Sequence, residues 1–129
     1  MSDSNKKFKI LMIDDDMFFR KIYRDQLTKA GFDFSEAING IEGMHKVETE
    51  KPDLILLDLM LPRKNGFEVL KEIKEKNETR KIPIIILSNL GQEADIKEGM
   101  SLGADTYLVK GETKLSEVIE IINKALAKK

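Results

Sequence analysis

Leu54-Ile-Leu-Leu-Asp-Leu-Met-Leu-Pro62 decides the fold of this chain. Four apolar residues, Leu54 to Leu57, run into a single carboxylate, Asp58, and Pro62 closes the segment. A run this short and this apolar reads as a strand buried on both faces, as in a parallel sheet. A charge has no place inside such a strand, so Asp58 must sit at its carboxyl end, the edge where open α/β sheets bind ligands.

The same pattern recurs on either side. Residues 8–13 form a first strand, apolar at Ile10, Leu11, Met12 and Ile13, and stop at Asp14, Asp15 and Asp16. Residues 84–87 form a fourth, ending at Ser88, and 105–109 a fifth, with Lys110 just past it. Residues 32–37 make a short strand, expected at the sheet's edge. Helical spacing predicts helices over 17–30, 41–50, 67–76, 92–102 and 114–127. Asp16 is a good N-cap for the first, whose expected inner stripe is Phe19, Ile22, Tyr23, Leu27 and Ala30. Gly31 and Gly103 stop the first and fourth, and Asn39-Gly40 reads as a turn before the second. The fourth helix is thin, with only Ile96, Met100 and Leu102 strongly apolar. The fifth carries a stripe at Leu115, Ile119, Ile122 and Leu126, flanked by Val118 and Ala125. Alternating strands and helices make a doubly wound α/β protein with a five-stranded parallel sheet.

With 129 residues, one domain is expected over 1–129, with a frayed tail at 1–7. A domain of this size buries roughly two-thirds of the surface its unfolded chain exposes. There is no Cys, which excludes disulfides and thiolate metal sites and fits a reducing compartment. The net charge of −1 argues against a general nucleic-acid surface. No apolar run approaches the roughly 20 residues of a membrane span, and no signal core follows the N-terminal lysines. A soluble, cytoplasmic protein is expected.

Parallel strands carry their following loops to one edge. Asp14, Asp15, Asp58, Ser88 and Lys110 are therefore expected in one cleft. Carboxylate pairs at ~4 Å repel by about 1 kcal/mol in water and about 4 at an effective dielectric near 20. A divalent cation would offset this, and all-oxygen donors favour Mg²⁺. A carboxylate beside a hard cation, an ammonium and a hydroxyl is arranged to take a phosphoryl group: Asp58 as nucleophile, Lys110 and the cation neutralising phosphoryl oxygens, Ser88 donating to one.

These segments, together with Asn39-Gly40, Asn65-Gly66 and Gly103-Ala-Asp-Thr-Tyr-Leu-Val-Lys110, closely resemble the receiver domain of bacterial two-component response regulators, chemotaxis-regulator-like single receivers included. The similarity runs over residues 9–126. It implies a flavodoxin-like (βα)5 fold with strand order 2-1-3-4-5. It implies phosphoryl transfer from a sensor histidine kinase or phosphotransfer protein to Asp58, in a signalling domain that assists its own phosphorylation and dephosphorylation rather than an enzyme. It further implies Mg²⁺ held by Asp15, Asp58 and the Met60 backbone carbonyl, with Asp14 acting through water. Ser88 and Tyr107 match the family's switch pair, which reshapes the surface of helix four, strand five and helix five for a downstream effector or a separate output domain. Monomers or weak phosphorylation-dependent dimers are expected, with no direct nucleic-acid or membrane contact.

Three departures stand out. Gly111 replaces the family's usual proline after the site lysine, so a trans bond and a re-formed loop are expected there. Asn89 replaces a very small residue and is expected to narrow access to Asp58. Met60 and Leu90, both apolar, occupy positions that influence hydrolytic water, and a long-lived phosphoryl group is expected.

Each residue also has a plainer reading. Asp14–Asp16 could only cap a helix, Ser88 could be a loop hydroxyl, Lys110 a structural ion-pair partner, Tyr107 a static packing residue. His45 reads as solvated. A flavin-binding protein would need a phosphate-cradling loop where the acids stand. A phosphatase would need a hydroxyl near Asp16 and a cap domain. A degenerate receiver, binding partners without being phosphorylated, is the alternative that Asn89 and Gly111 suggest. A stand-alone receiver and a piece of a larger regulator or hybrid kinase share this sequence pattern.

Overall fold

The computed structural model describes residues 7–128; most of the expected N-terminal tail lies outside them. Five strands, β1 (Lys9–Ile13), β2 (Asp33–Ala37), β3 (Leu54–Leu57), β4 (Ile84–Ser88) and β5 (Thr106–Val109), alternate with five helices, α1 (Met17–Lys29), α2 (Gly40–Glu50), α3 (Gly66–Glu75), α4 (Glu93–Ser101) and α5 (Leu115–Ala127). All strands are parallel, in the order β2-β1-β3-β4-β5. This is the doubly wound, flavodoxin-like sheet expected, with β2 at an edge.

Side chains alternate between two cores because successive strand residues face opposite ways. Leu11, Ile13, Ile55, Leu57, Ile84 and Ile86 pack with Met44 and Val47 of α2 and Val69, Leu70 and Ile73 of α3. On the other face Ile10, Met12, Leu54, Leu56, Ile85 and Leu87 pack with Tyr23 and Leu27 of α1 and Val118, Ile122 and Leu126 of α5. Register then decides what lies above the sheet. Ile13 pairs with Leu57, so the next residues, Asp14 and Asp58, emerge side by side. Ser88 pairs with Val109, one residue before Lys110.

Several helical details differ from the sequence expectation. Ile22 and Ala30 are exposed, leaving Tyr23 and Leu27 as the buried residues of α1. Tyr23 and Leu27 lie on the side of α1 that meets the core, and Ile22 lies about 100° round from Tyr23. In α4 the buried residue is Gly99, not Met100, which is 43% exposed. A Cβ on Gly99 would stand 2.7 Å from Ile86 Cδ1 and 3.0 Å from the Tyr107 ring, so α4 meets the sheet by its backbone. In α5, Val118 is central rather than flanking. Asn39-Gly40 is not a free turn. Asn39 caps α2 by accepting from Glu42 N (2.8 Å), and Gly40 is the first helical residue. Gly31 (φ +98°) and Gly103 (φ +109°) stop their helices in the left-handed region, as expected of a helix-ending glycine.

Candidate functional site

Asp14 and Asp58 are held by their strands before their side chains act. Asp14 N donates to Ala37 O (3.0 Å) and Asp58 N to Ile13 O (3.0 Å), extending the ladders by one residue. Both side chains are nearly fully buried, whereas Asp15 is exposed. One carboxylate oxygen from each of Asp14, Asp15 and Asp58 lies within 4.8 Å of the others. Asp14 Oδ1 accepts from Asp16 N (2.8 Å) and Asp58 Oδ1 from Met60 N (3.2 Å). Asp16, as expected, caps α1 by accepting from Phe19 N (3.1 Å).

Lys110 reaches into this cluster from the end of β5. Its ammonium lies 2.8 Å from Asp14 Oδ2 and 3.2 Å from Asp58 Oδ2, with the lysine side chain only 8% exposed. Burial pulls the Lys110 pKa down, but the bond and charge of Asp14, and then Asp58, outweigh it and leave it raised. Burial raises the Asp14 carboxyl, against the pull of Lys110 and the Asp16 amide. Asp14 Oδ2 is buried without a hydrogen bond in good geometry, its ion pair with Lys110 apart. A buried carboxylate oxygen left this way, beside two further carboxylates, suits a hard divalent cation. The donor set therefore fits Mg²⁺, with Asp14, Asp15 and Asp58 as the residues that could hold it.

The other expected site residues occupy the same edge in different ways. Ser88 is fully buried, and its Oγ accepts from Leu90 N (3.3 Å). Among the described residues no hydrogen bond joins it to Asp58 or Lys110. The Tyr107 hydroxyl donates to Leu90 O (2.7 Å), tying β5 to the loop before α4. Burial, then Asp95 and Asp58, push its pKa up to about 12. The Met60 side chain is 54% exposed, Asn89 is exposed and Leu90 half-buried. After Lys110 the chain re-forms as expected. No cis peptide occurs among the described residues, and Lys110–Glu112 make a short 3-10 turn before α5. His45 is exposed.

Two features escaped the sequence reading. The Phe19 ring centroid lies 4.3 Å from Lys110 Nζ, and the ring packs on Tyr23. Helical spacing marks Phe19 as inward but cannot say that it meets Lys110. Glu36 on β2 binds Arg20 (Nε to Oε1, 2.9 Å) and Arg24 (Nε to Oε2, 2.7 Å), and Arg20 also donates to Asp14 O (3.0 Å). This brace holds α1 and the Asp14 loop against the edge strand.

Arg24, against some opposition from burial and with help from Arg20, holds the Glu36 carboxyl below its ordinary 4.5. A depressed carboxyl pKa stabilises the fold above the unfolded value, and that stabilisation is lost as pH falls through the folded one. Glu36→Gln should therefore lower stability at pH 7 in urea denaturation, and the gap from wild type should close as pH drops below about 4.5. A gap independent of pH would mean that the brace acts by packing alone.

A doubly wound sheet that gathers three carboxylates and a buried lysine at the carboxyl ends of β1, β3 and β5 defines a class of signalling domain. The chain belongs to the response regulator receiver domain family, which matches residues 10–123. It is 37% identical over 117 residues to the chemotaxis protein CheY of Thermotoga maritima, covering 90% of this chain and 95% of that protein. It is 41% identical over 102 residues to the DNA-binding dual master transcriptional regulator RpaA of Synechocystis, covering 79% of this chain but 42% of that protein. The chain thus spans less than half the length of that regulator. A Francisella response regulator 1452 receiver domain superposes with a TM-score of 0.88 at 30% identity, covering 95% of this chain and 98% of the other. The chain is a receiver domain of two-component signalling. No helix among the described residues is long and apolar enough to cross a membrane.

Proposed function

We propose that this receiver accepts a phosphoryl group on Asp58 in the presence of Mg²⁺ and signals by the response of its α4–β5–α5 surface. The observation that carries the reading is the placement of the buried Lys110 ammonium between Asp14 and Asp58, beside a third carboxylate. When bound, Mg²⁺ supplies positive charge against the carboxylates and the incoming phosphoryl oxygens.

Asp58 attacks through Oδ2 or Oδ1. A new O–P bond forms on Asp58, the donor's bond to phosphorus breaks, and the donor leaves with the bonding electrons. Lys110, already 3.2 Å from Asp58 Oδ2, neutralises charge that develops on the phosphoryl oxygens. Asp15, Asp58 and the Met60 carbonyl would hold the metal, with Asp14 acting through water. Ser88 leaves its bond to Leu90 N and donates to a phosphoryl oxygen. That frees the 88–90 loop, and with it the carbonyl that Tyr107 holds. The backbone-packed helix α4, resting on Tyr107 at Gly99, is the element this biases. The donor is a sensor histidine kinase or phosphotransfer protein and the output a partner protein or further domain, in the cytoplasm.

Incubation with acetyl phosphate and Mg²⁺ should add one phosphoryl by intact mass, labile to hydroxylamine as an acyl phosphate. Removal of Mg²⁺ with EDTA should suppress it. Followed in time, the adduct should decay slowly, and faster in Met60→Asn and Leu90→Glu. No adduct from acetyl phosphate or from a phosphorylated kinase would leave the degenerate, phosphorylation-independent receiver as the better reading.

A further inference from the structure

The Lys110 ammonium has a third contact besides its two carboxylates: the face of Phe19, 4.3 Å from Nζ to the ring centroid. We infer that Phe19 is a positioning residue for Lys110, holding the ammonium where an Asp58 phosphoryl group needs it. This deepens the acceptor reading of the same site and rests on it for its effect on rate.

The geometry closes a loop. Asp14 Oδ1 accepts from Asp16 N (2.8 Å), Asp16 accepts from Phe19 N (3.1 Å), and the Phe19 ring meets Lys110, which returns to Asp14 at 2.8 Å. The ring is itself anchored. It lies 4.9 Å from the Tyr23 ring, and Tyr23 is 3% exposed in the core. Thus the first turn of α1, set by Asp16, aims an aromatic face at the lysine.

The lysine's own segment is less constrained. Gly111 lies in open space, where a Cβ would meet nothing within 4 Å. The turn is tied back by Thr113 Oγ1 donating to Val109 O (3.0 Å). With no rigid residue after Lys110, the side chain is oriented from its charged end: two carboxylates pull it, and the ring stops it from swinging away. When Asp58 gives its negative charge to a phosphoryl group, the carboxylate attraction is redistributed, but the ring's negative face remains. A cation over an aromatic face in a water-poor site is held by the ring quadrupole, which a leucine lacks.

Phe19→Leu and Phe19→Tyr separate this role from packing. With saturating Mg²⁺ and varied acetyl phosphate, Phe19→Leu should lower the saturated rate of phosphoryl incorporation roughly 5- to 30-fold, with little change in the half-saturating donor concentration. Phe19→Tyr, which keeps the ring, should stay within about twofold of wild type. Urea denaturation of both variants identifies losses due only to unfolding. A wild-type rate in Phe19→Leu overturns the inference, as does an equal fall in folded Leu and Tyr variants.

A second readout needs no phosphorylation. In metal-free protein the Lys110 ε-methylene protons should be shifted upfield by the ring in ¹H–¹³C NMR, a shift lost in Phe19→Leu and kept in Phe19→Tyr. Absence of that shift in wild type overturns the placement. If the shift behaves as expected but wild type accepts no phosphoryl, the acceptor reading fails and the rate effect falls with it, separately from the ammonium's placement.

Discussion

Asp58→Asn should abolish phosphoryl incorporation from acetyl phosphate and, without Mg²⁺, make the protein more stable. The first effect follows from chemistry, since an amide oxygen carries no full negative charge with which to attack phosphorus. The second follows from the site's electrostatics. Asp14, Asp15 and Asp58 bring carboxylate oxygens within 4.8 Å of one another, and one ammonium serves both buried acids. Neutralising Asp58 removes its repulsion with two neighbours and costs one arm of the lysine ion pair. An amide can still accept from Met60 N through its oxygen, while its NH₂ takes the Oδ2 position beside Lys110 and must turn to the neighbouring carboxylates as the ammonium shifts toward Asp14. Like charges near 4 Å repel by about 1 kcal/mol in water and more at a partly buried site, so a net gain of about 1–2 kcal/mol is expected in urea denaturation. Addition of Mg²⁺ should stabilise wild type more than the variant and narrow the gap, because the variant has lost a ligand. A variant less stable than wild type in EDTA would mean that the Lys110–Asp58 attraction outweighs the repulsion.

Gly66→Ala should be the most damaging small substitution near the site. A Cβ there would lie 2.3 Å from Asp58 O and 2.5 Å from Leu59 Cα. Both obstacles are backbone, so no side-chain rotation relieves them. The start of α3 would have to withdraw, although its capping box, Asn65 with Glu68, and the bond from Gly66 N to Leu59 O (3.0 Å) hold it there. Overpacking against a rigid partner costs about 3 kcal/mol, enough to shift the urea midpoint substantially in a domain of this size. The same displacement moves the loop that carries Asp58 and Met60, so phosphoryl incorporation should fall even where the protein remains folded. Gly111→Ala is the matching control. With nothing within 4 Å of its added carbon, its stability should stay within about 0.5 kcal/mol of wild type. Equal stability of the two variants would show that α3 can retreat from the strand end without cost.

The contrast between these glycines also shows what a sequence can and cannot reveal. Asn65-Gly66 and Asn39-Gly40 look alike as dipeptides, and a turn was the natural reading of the second. In the fold each Asn caps a helix and each Gly lets another segment's backbone pass: Lys64 O at Gly40, Asp58 O at Gly66. Met100 and Ile22 have the apolarity of core residues, yet they face solvent because α4 approaches the sheet at Gly99 and α1 turns Tyr23 and Leu27 to the core. Helical spacing tells which residues share a face. It does not tell which face a neighbour will cover.

What the sequence by itself determined was the sheet and which residues stand at its rim. Apolar runs of strand length ending in Asp14, Asp58, Ser88 and Lys110 are local patterns, and parallel pairing alone carries those ends to one edge. What only the tertiary structure decided were the contacts among residues far apart in the chain: Phe19 under Lys110, Glu36 between Arg20 and Arg24, and Tyr107 tied to Leu90. Their partners are chosen by strand register and helix packing, which depend on the whole core at once, whereas strand ends are written in a few consecutive residues.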